Sequence, residues 1–202
     1  MKAPQSTGAT ERRQYWRARQ LALYYQAVFQ VVSVVGDEAS SILDVGSADT
    51  DYINWFDWIP KRTQLNLGFR SDAPAGVERI ATDFLTWTPP HKYDVVLCMQ
   101  VLEHVDEVEA FCARLKVVAR GLVVSVPYKW REGGTKGHIH DPVDEAKLAG
   151  WMQLKPNHWL IVPEPFGPKR LIAYYDIEGG PQTRIPRAVS RERIACRGQT
   201  RP

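Results

Sequence analysis

The amino-acid sequence predicts a doubly wound α/β domain, with a Rossmann-like, mostly parallel sheet, an antiparallel final strand and helices on both faces. Short apolar runs of the kind found in strands alternate along the chain with segments whose apolar residues recur at helical spacing. Two of these runs, "YDVVLCMQV" and "GLVVSVPY", are almost continuously apolar, which is typical of parallel strands covered on both faces. The length of 202 residues, 44% of them hydrophobic, fits a single globular domain with a sizeable core.

Three segments have the pattern of helices. The first, "RRQYWRARQLALYYQAVFQVVSVV", predicts a long amphipathic helix near the N-terminus, and "VDEVEAFCARLKVVA" and "EAKLAGWMQL" predict two more. The apolar residues at helical spacing in the first are Trp16, Leu21, Leu23, Tyr24, Val28, Val31 and Val32.

Seven segments have the pattern of strands. In chain order they are "SILDVG", "RTQLNLGF", "VERIATDF", "YDVVLCMQV", "GLVVSVPY", "HWLIVPEPF" and "RLIAYYDI". The second alternates Leu65, Leu67 and Phe69. The last two are close enough in sequence to pair as antiparallel neighbours at the end of the sheet.

Charge is distributed unevenly between a body, residues 1–177, and a tail, residues 178–202. The tail holds six arginines and two glutamates, a net charge of +4, which leaves −1 for the body out of the total of +3. We therefore expect one domain with an N-terminal helix, followed by a basic, flexible tail, and no nucleic-acid platform. Deleting the tail is expected to leave cofactor affinity nearly unchanged.

Segments that would direct or anchor the protein are not evident in the sequence. The polar N-terminus lacks the apolar stretch of a signal peptide, and no run of about 18 uncharged apolar residues occurs. The three cysteines, Cys98, Cys112 and Cys196, lack metal-ligand spacing. We expect a soluble cytoplasmic protein with reduced thiols and without a membrane span; the choice between a monomer and a homodimer stays open.

The first strand ends in an aspartate followed by a glycine, in "SILDVGSADTDY". In an open α/β sheet the ligand lies outside the carboxyl ends of the strands, where strand order reverses. Glycine lets a ligand approach the backbone, and a carboxylate can hold a cationic or hydroxyl-bearing ligand. Asp44 and Gly46 are therefore candidates for a cofactor site; alternatively, Asp44 only caps a helix and Gly46 only turns the chain.

Further polar residues follow the third and fourth strands: Asp83 in "TDFLTW", and Gln100, Glu103 and His104 in "CMQVLEHV". Together with "ILDVGSADTDY" and "YDVVLCMQVLEHV", this arrangement resembles the class I S-adenosylmethionine-dependent methyltransferases over residues 41–130. The first segment is similar to the family's acidic residue and glycine-rich turn. The second is similar to its fourth-strand motif, which commonly ends in Leu-Glu-His.

The resemblance implies S-adenosyl-L-methionine as the cofactor and assigns a role to each matching residue. Asp44 and the backbone of Gly46, Ser47 and Ala48 would face the methionine part. Asp83 would accept a hydrogen bond from the adenine amino group while the Phe84 N–H meets the ring. Met99 and Gln100 would line the pocket near adenine and sulfonium, and His104 would lie at its rim. The alternatives are a turn role for Asp83, core packing for Met99, and a solvated helix start for Glu103 and His104.

Two positions depart from the family pattern. Ala48 stands where a second glycine is usual. Gly68, in "LNLGFRSD", stands where an acid usually binds both ribose hydroxyls, so cofactor binding is expected to be weaker or that role to pass to Asp72.

The loop after the fifth strand, "PYKWREGGTKGHIHDPVDEAKLAGW", carries the candidates for acceptor chemistry. A neutral hydroxyl attacks a sulfonium methyl group poorly unless a base removes its proton, and histidine suits that role near neutral pH. We assign His140, beside Asp141, as the general base or metal-linked residue, with His138 and His104 as alternatives and magnesium as a candidate ion. The competing interpretation is a rigid loop in which Asp141 or Asp144 caps a helix.

The predicted function is an O-methyltransferase acting on a small hydroxylated acceptor such as a saccharide. The aromatic residues around the loop, Tyr128, Trp130, Trp151 and Trp159, could stack on sugar rings. One alternative is a methyltransferase-like binding or scaffold protein without activity. The other is a nicotinamide-dependent oxidoreductase, although "GSADTD" lacks the expected G-x-G-x-x-G pattern.

Overall fold

The computed structural model describes residues 19–165 and 167–179. The chain forms three α-helices and seven strands there: α1 (Leu23–Val35), β1 (Ser41–Val45), β2 (Lys61–Asn66), β3 (Val77–Ala81), β4 (Tyr93–Met99), α2 (Val108–Val118), β5 (Ala119–Pro127), α3 (Glu145–Met152), β6 (His158–Glu164) and β7 (Gly167–Asp176). Two short 3₁₀ helices, Tyr52–Phe56 and Leu102–His104, follow β1 and β4. The beginning of the predicted first helix and nearly all of the tail lie outside the described residues.

One seven-stranded sheet organises the domain, in the order β3-β2-β1-β4-β5-β7-β6. Strands β1 to β5 pair in parallel, whereas β7 is antiparallel to both β5 and β6. The predicted fold class and the antiparallel pairing of the last two strands are thereby confirmed. Strand order reverses between β1 and β4, so the carboxyl ends of these two strands border the crevice in which this architecture binds ligands.

Apolar side chains cover both faces of the sheet, because successive residues of a strand point to opposite sides. Ile42 of β1 packs on the face of α1 and the helix Tyr52–Phe56, and Leu43 packs on the face of α2 and α3. Helix α1 buries Val28 and Val32 fully, but it begins at Leu23, later than predicted: Leu21 lies in a turn and is 74% exposed, so the predicted helix is not continuous there. Each such side chain stabilises the fold by roughly 1.5–3 kcal/mol.

The second predicted strand extended too far along the chain. β2 ends at Asn66, and Leu67 beyond it is 78% exposed, so the alternation of leucines continues past the last strand pair. Residues 67–76 form a loop instead. The helix Tyr52–Phe56, in "YINWF", was not predicted, because its aromatic residues favour strands by propensity while packing against α1 decides the outcome. None of the helices in the described ranges has the length and apolar character to cross a membrane.

Glu178, the first residue of the predicted tail, is attached to the domain. Its carboxylate accepts hydrogen bonds from Lys92 at 3.0 Å and Arg120 at 2.8 Å. A truncation that tests the tail should therefore begin at residue 180. Removing residues 180–202 is expected to leave the melting temperature and the affinity for S-adenosylhomocysteine within error of the full chain, measured by scanning fluorimetry and calorimetry; a large loss of affinity in a folded truncate would assign the tail to the site.

Candidate active site

A cavity of about 360 Å³ opens at the carboxyl ends of β1 and β4, where strand order reverses. Eight of the predicted site residues line it: Asp44, Gly46, Ser47, Ala48, Met99, Gln100, His104 and His138. Its volume lies in the range of small-molecule sites. The sequence motifs after β1, after β4 and in the long loop thus meet in one place.

The turn after β1 bends sharply around the cavity. Gly46 has a φ of 76°, and a Cβ added there would lie 2.5 Å from the side chain of Val101, so the position requires glycine for two reasons. Ala48, in the place of the usual second glycine, adopts a φ of 50°. A left-handed non-glycine residue stores strain that commonly marks a ligand-binding turn.

Asp44 brings a buried carboxyl group to this turn. The residue is 2% exposed, and its Oδ1 has no hydrogen-bond partner among the residues that the structure describes. Burial raises the pKa of Asp44 to about 7, because the charged form loses its hydration without gaining a counter-charge. A cationic group placed in the cavity would stabilise the ionised form. Asp44 caps neither neighbouring helix of the described ranges: α1 precedes it, and the helix Tyr52–Phe56 shows no side-chain cap.

The end of β4 forms the opposite wall. Gln100 has a φ of 56°, its backbone N–H donates to the Ser125 carbonyl at 2.8 Å, and its side-chain amide donates to the Ser125 hydroxyl at 3.1 Å. These two contacts with β5 hold a second left-handed residue at the cavity. Met99 lines the cavity, as predicted, and also packs against the core beside α1, which was the alternative.

Glu103, His104 and His138 form a compact cluster in the cavity wall. One ligand atom from each residue lies within 4.8 Å of the others. Glu103 is fully buried, and within the described ranges neither of its carboxyl oxygens has a hydrogen-bond partner, so the alternative of a solvated helix start does not hold for this residue. Burial raises the pKa of Glu103 to about 8.

The tautomers of the two histidines follow from their partners. His138 Nδ1 lies 2.7 Å from Asp141 Oδ2, and His104 Nδ1 lies 2.8 Å from the Gly137 carbonyl oxygen. A carboxylate and a carbonyl can only accept, so both Nδ1 atoms carry the proton when the rings are neutral. Each Nε2 then has a free lone pair.

His140 lies elsewhere, and this reverses our ranking of the loop histidines. Its Nε2 donates to the Val105 carbonyl at 2.8 Å, its ring packs 5.1 Å from that of Trp151, and it does not line the cavity. Asp141 is 7% exposed and orients His138, the residue three positions before it, instead of its neighbour His140. Sequence adjacency was misleading because the loop turns between the two histidines. The expected cap is also present: Asp144 accepts from the Lys147 N–H at 2.9 Å.

Three residues assigned to the adenosine part do not line this cavity. Asp83 is exposed, and its Oδ1 accepts from the Leu85 N–H at 2.9 Å, which is the turn role kept as an alternative. Phe84 is buried and packs 4.7 Å from Phe111. Gly68 is exposed, and a Cβ there would meet no atom within 4 Å. Their assigned contacts with a cofactor stay predictions.

Asp49, which the sequence did not single out, closes the region beside Gly68. Its carboxylate accepts from the N–H groups of Arg70 and Ser71, both at 3.1 Å, and lies 3.4 Å from the Arg79 guanidinium. Burial acts to raise the pKa of Asp49, but hydrogen bonds from Ser71 and Arg70 outweigh it and lower the pKa. The Arg79 guanidinium also stacks 4.5 Å from the Phe69 ring. Asp72 contributes only its carbonyl to Arg79, so the suggested transfer of the ribose role to Asp72 gains no support.

Aromatic and cationic side chains complete the cavity wall. The Arg170 guanidinium lies 4.6 Å from the Tyr24 ring and 5.2 Å from the Trp130 ring, and Trp130 stacks on His138 at 5.4 Å. Trp130 is the loop aromatic that lines the cavity, whereas Trp151 is buried in the core and Trp159 is exposed. Tyr24 and Arg170 were missed because their elements, α1 and β7, carry no ligand-binding motif.

No protein-family model and no curated protein sequence matches the chain. Solved structures do match. The N-methyltransferase NodS from Bradyrhizobium japonicum WM9 superposes with a TM-score of 0.56 at 12% identity, covering 75% of this chain and 95% of that one. The Burkholderia thailandensis 1,6-didemethyltoxoflavin-N1-methyltransferase, with its substrate and S-adenosylhomocysteine bound, gives 0.57 at 16% identity over 86% and 92%.

A third match is the N-terminal domain of EvdMO1 in the presence of S-adenosylhomocysteine and D-fucose, with a TM-score of 0.54 at 15% identity over 75% of this chain and 82% of that one. The chain has the class I methyltransferase fold. At these identities the likeness concerns the arrangement of helices and strands, and the chemistry has to be argued from the residues of the cavity.

Proposed function

We propose that the chain is an S-adenosylmethionine-dependent methyltransferase that methylates a hydroxyl group of a small acceptor. The observation that supports this most is the buried, unpartnered Asp44 carboxyl beside the left-handed turn of Gly46 and Ala48, facing a cavity at the switch point of the sheet. In this fold the cavity is the ligand crevice, and its polar end suits the ammonium group of the methionine part.

The residues fit the methionine half of the cofactor better than the ribose. Asp44 supplies a carboxylate for the ammonium group, and the Gly46 turn leaves room for the chain to approach the backbone. β2 ends at Asn66, and Gly68 in the loop after it stands where the resemblance implies a ribose-binding acid; Asp49, which follows β1, is bonded to this loop. When bound, S-adenosylmethionine would supply a methyl group on a positively charged sulfur.

The acceptor is proposed to be a saccharide or a similar polyhydroxylated molecule. Trp130 offers an aromatic face at the cavity, and Lys136 and Arg170 offer donors that suit hydroxyl oxygens. We assign removal of the hydroxyl proton to His138, which is supported by its contact with Asp141; His104 is adjacent at a ring distance of 4.7 Å. The structural neighbour crystallised in the presence of D-fucose makes that sugar a reasonable first probe.

Binding of S-adenosylhomocysteine tests the cofactor part of the proposal. At a concentration of about 100 times Kd, a ligand that binds only the folded state adds about 2.7 kcal/mol of stability. For a chain of this size, that corresponds to a rise in melting temperature of about 5–10 °C. Differential scanning fluorimetry with the full chain measures it, and calorimetric titration gives the affinity.

Variants and a second ligand separate the alternatives. Asp44→Ala and, at the adenine end, Asp83→Ala are expected to reduce the rise, whereas Asp106→Asn, an exposed acid outside the cavity lining, should leave it unchanged. A rise with NAD alone would indicate an oxidoreductase. Binding of S-adenosylhomocysteine without methyl transfer to any of a broad set of sugars would favour the binding or scaffold interpretation. If neither ligand shifts the transition at millimolar concentration, the proposal fails.

A further inference from the structure

We propose that Glu103, His104 and His138 form a binding site for one divalent transition-metal ion, with Asp141 orienting one of its ligands. The inference rests on the proposed function only for what the ion would do; the geometry of the metal site does not depend on that function. The ion would be a second ligand of the same cavity, bound on the proposed acceptor side and away from the turn that follows Asp44. The proposed ion belongs to a different class from magnesium, the candidate that the sequence suggested, and is bound by a different set of residues.

The first argument is that both imidazole rings already make the hydrogen bonds typical of metal ligands. Both Nδ1 atoms are occupied as donors, His138 to the Asp141 carboxylate and His104 to the Gly137 carbonyl. Metal-ligating histidines characteristically donate the second ring N–H to a carboxylate or carbonyl, which fixes the tautomer and the ring orientation. Each Nε2 therefore keeps its lone pair, and both histidines line the cavity.

The second argument comes from the buried carboxyl group of Glu103. The carboxyl group is fully buried, and neither oxygen has a hydrogen-bond partner in the part of the chain that the structure describes. Leaving such a group without a partner is costly, so buried carboxylates are normally paired or bound to a metal. No cationic side chain of the described residues forms a salt bridge with Glu103. A cation between Glu103 and the two histidines would satisfy both oxygens and lone pairs at once.

The third argument concerns the class of ion. Two imidazole nitrogens and one carboxylate suit Zn²⁺, Co²⁺, Mn²⁺ or Fe²⁺, whereas Mg²⁺ prefers oxygen ligands only. The ligand atoms lie within 4.8 Å of one another. Since bonds to such ions are about 2.0–2.2 Å long, the three side chains would move together by about an ångström on binding. Three protein ligands leave positions open for the acceptor.

The ion would serve methyl transfer by lowering the pKa of a coordinated acceptor hydroxyl. The hydroxyl proton leaves to solvent, and the oxygen forms a bond to the methyl carbon. The bond between that carbon and sulfur breaks with its electron pair kept by sulfur, which gives the methyl ether and S-adenosylhomocysteine. No oxidation or reduction takes place.

Titration of the metal-free full-length chain with Co²⁺ tests the site directly, without acceptor or cofactor. We expect one equivalent of Co²⁺ to bind, with visible absorption bands of a nitrogen- and oxygen-ligated ion, and Zn²⁺ to displace it. Mg²⁺ in large excess should not compete. Asp141→Asn, which alters the partner of a ligand, should weaken Co²⁺ binding by about 10–100-fold.

His104→Ala and His138→Ala should abolish the bands, because each removes a proposed ligand. His140→Ala is the matched control: it removes a histidine of the same region that does not line the cavity, and it should retain the bands. His104 is exposed, so its variant is expected to fold, which circular dichroism would check. Unchanged Co²⁺ binding in His104→Ala and His138→Ala, or no binding by the unmodified chain, would overturn the inference. Titration of the same proteins with S-adenosylhomocysteine is independent: loss of that binding alone would count against the proposed function and not against the metal site.

Discussion

Replacing His138 by alanine is expected to lower turnover by about 10²–10⁴, the usual contribution of a group that assists proton removal, while S-adenosylhomocysteine still binds. The reason is that His138 lines the cavity and its Nε2 keeps a lone pair, because Nδ1 is bonded to Asp141 at 2.7 Å. The same loss follows whether this nitrogen takes the proton itself or binds the proposed ion. Transfer of a labelled methyl group to the sugar that the unmodified chain methylates best, starting with D-fucose, provides the measurement.

Two further variants distinguish positioning from chemistry. Asp141→Asn keeps the shape of the side chain but no longer fixes the tautomer, so turnover should fall by about 10–100-fold and the dependence of kcat on pH should shift. His140→Ala should retain near-normal turnover, because this ring bonds the Val105 carbonyl and packs on Trp151 outside the cavity. Equal losses in His138→Ala and His140→Ala would point to damage of the loop. Near-normal turnover in His138→Ala would return the chemistry to His104 and Glu103.

The fold could be predicted from the sequence because its signals are local and repeated. Continuous apolar runs marked β4 and β5, and the short spacing of the last two runs marked the antiparallel pair. The end of β2 could not be placed by the same reasoning. Leu67 continues the alternation of apolar residues, yet it has no partner strand and is exposed. Alternation reports which face a residue would occupy and does not report where pairing stops.

The part of the site that could be predicted consists of residues in motifs at the ends of strands. Asp44, Gly46 and Gln100 meet at one cavity because parallel strands end at the same edge of the sheet. The choice between His138 and His140 depended on how a loop folds, which short-range sequence does not determine. Arg170 reaches the cavity from β7 through ring contacts that only tertiary structure creates.

The second large effect is expected at Asp44, where Asp44→Asn should stabilise the protein and weaken cofactor binding together. The pKa of this carboxyl is raised from 3.8 to about 7 in the folded state. The folded chain therefore holds the proton more tightly than the unfolded chain, and the free energy of unfolding falls as pH rises from about 4 to about 7. Asparagine removes that loss, so at pH 8 the variant should be more stable by the order of 2–4 kcal/mol, with the gain fading near pH 4.

Asp49→Asn is the matched control, because this neighbouring carboxyl has the opposite shift. Its pKa is lowered in the folded state, so it contributes stability above the unfolded pKa that is lost as pH falls through the folded value. Asp49→Asn should therefore destabilise the chain at pH 8, and the difference should shrink at low pH. Urea unfolding of the three proteins at pH 4, 6 and 8 measures the trend for Asp44, and a further series at about pH 2.5, below the unfolded pKa of about 3.9, measures the trend for Asp49. Equal stabilities of Asp44→Asn and the unmodified chain at pH 8 would contradict the raised pKa.

A bound cationic ligand is expected to offset the loss of stability that the ionised Asp44 carboxylate causes. The ammonium group of S-adenosylhomocysteine would stabilise the ionised carboxylate, so the affinity of the unmodified chain should rise with pH up to about 7, as fewer protons have to be released on binding. Asp44→Asn should bind about tenfold or more weakly at pH 8, since a charge-assisted hydrogen bond is lost, and the pH dependence below 7 should flatten. Calorimetric titration at several pH values, in two buffers of different ionisation enthalpy, measures the affinity and the protons released. A variant that gains stability and keeps its affinity would leave Asp44 as a strained core residue and remove the main support for the methionine-binding end of the cavity.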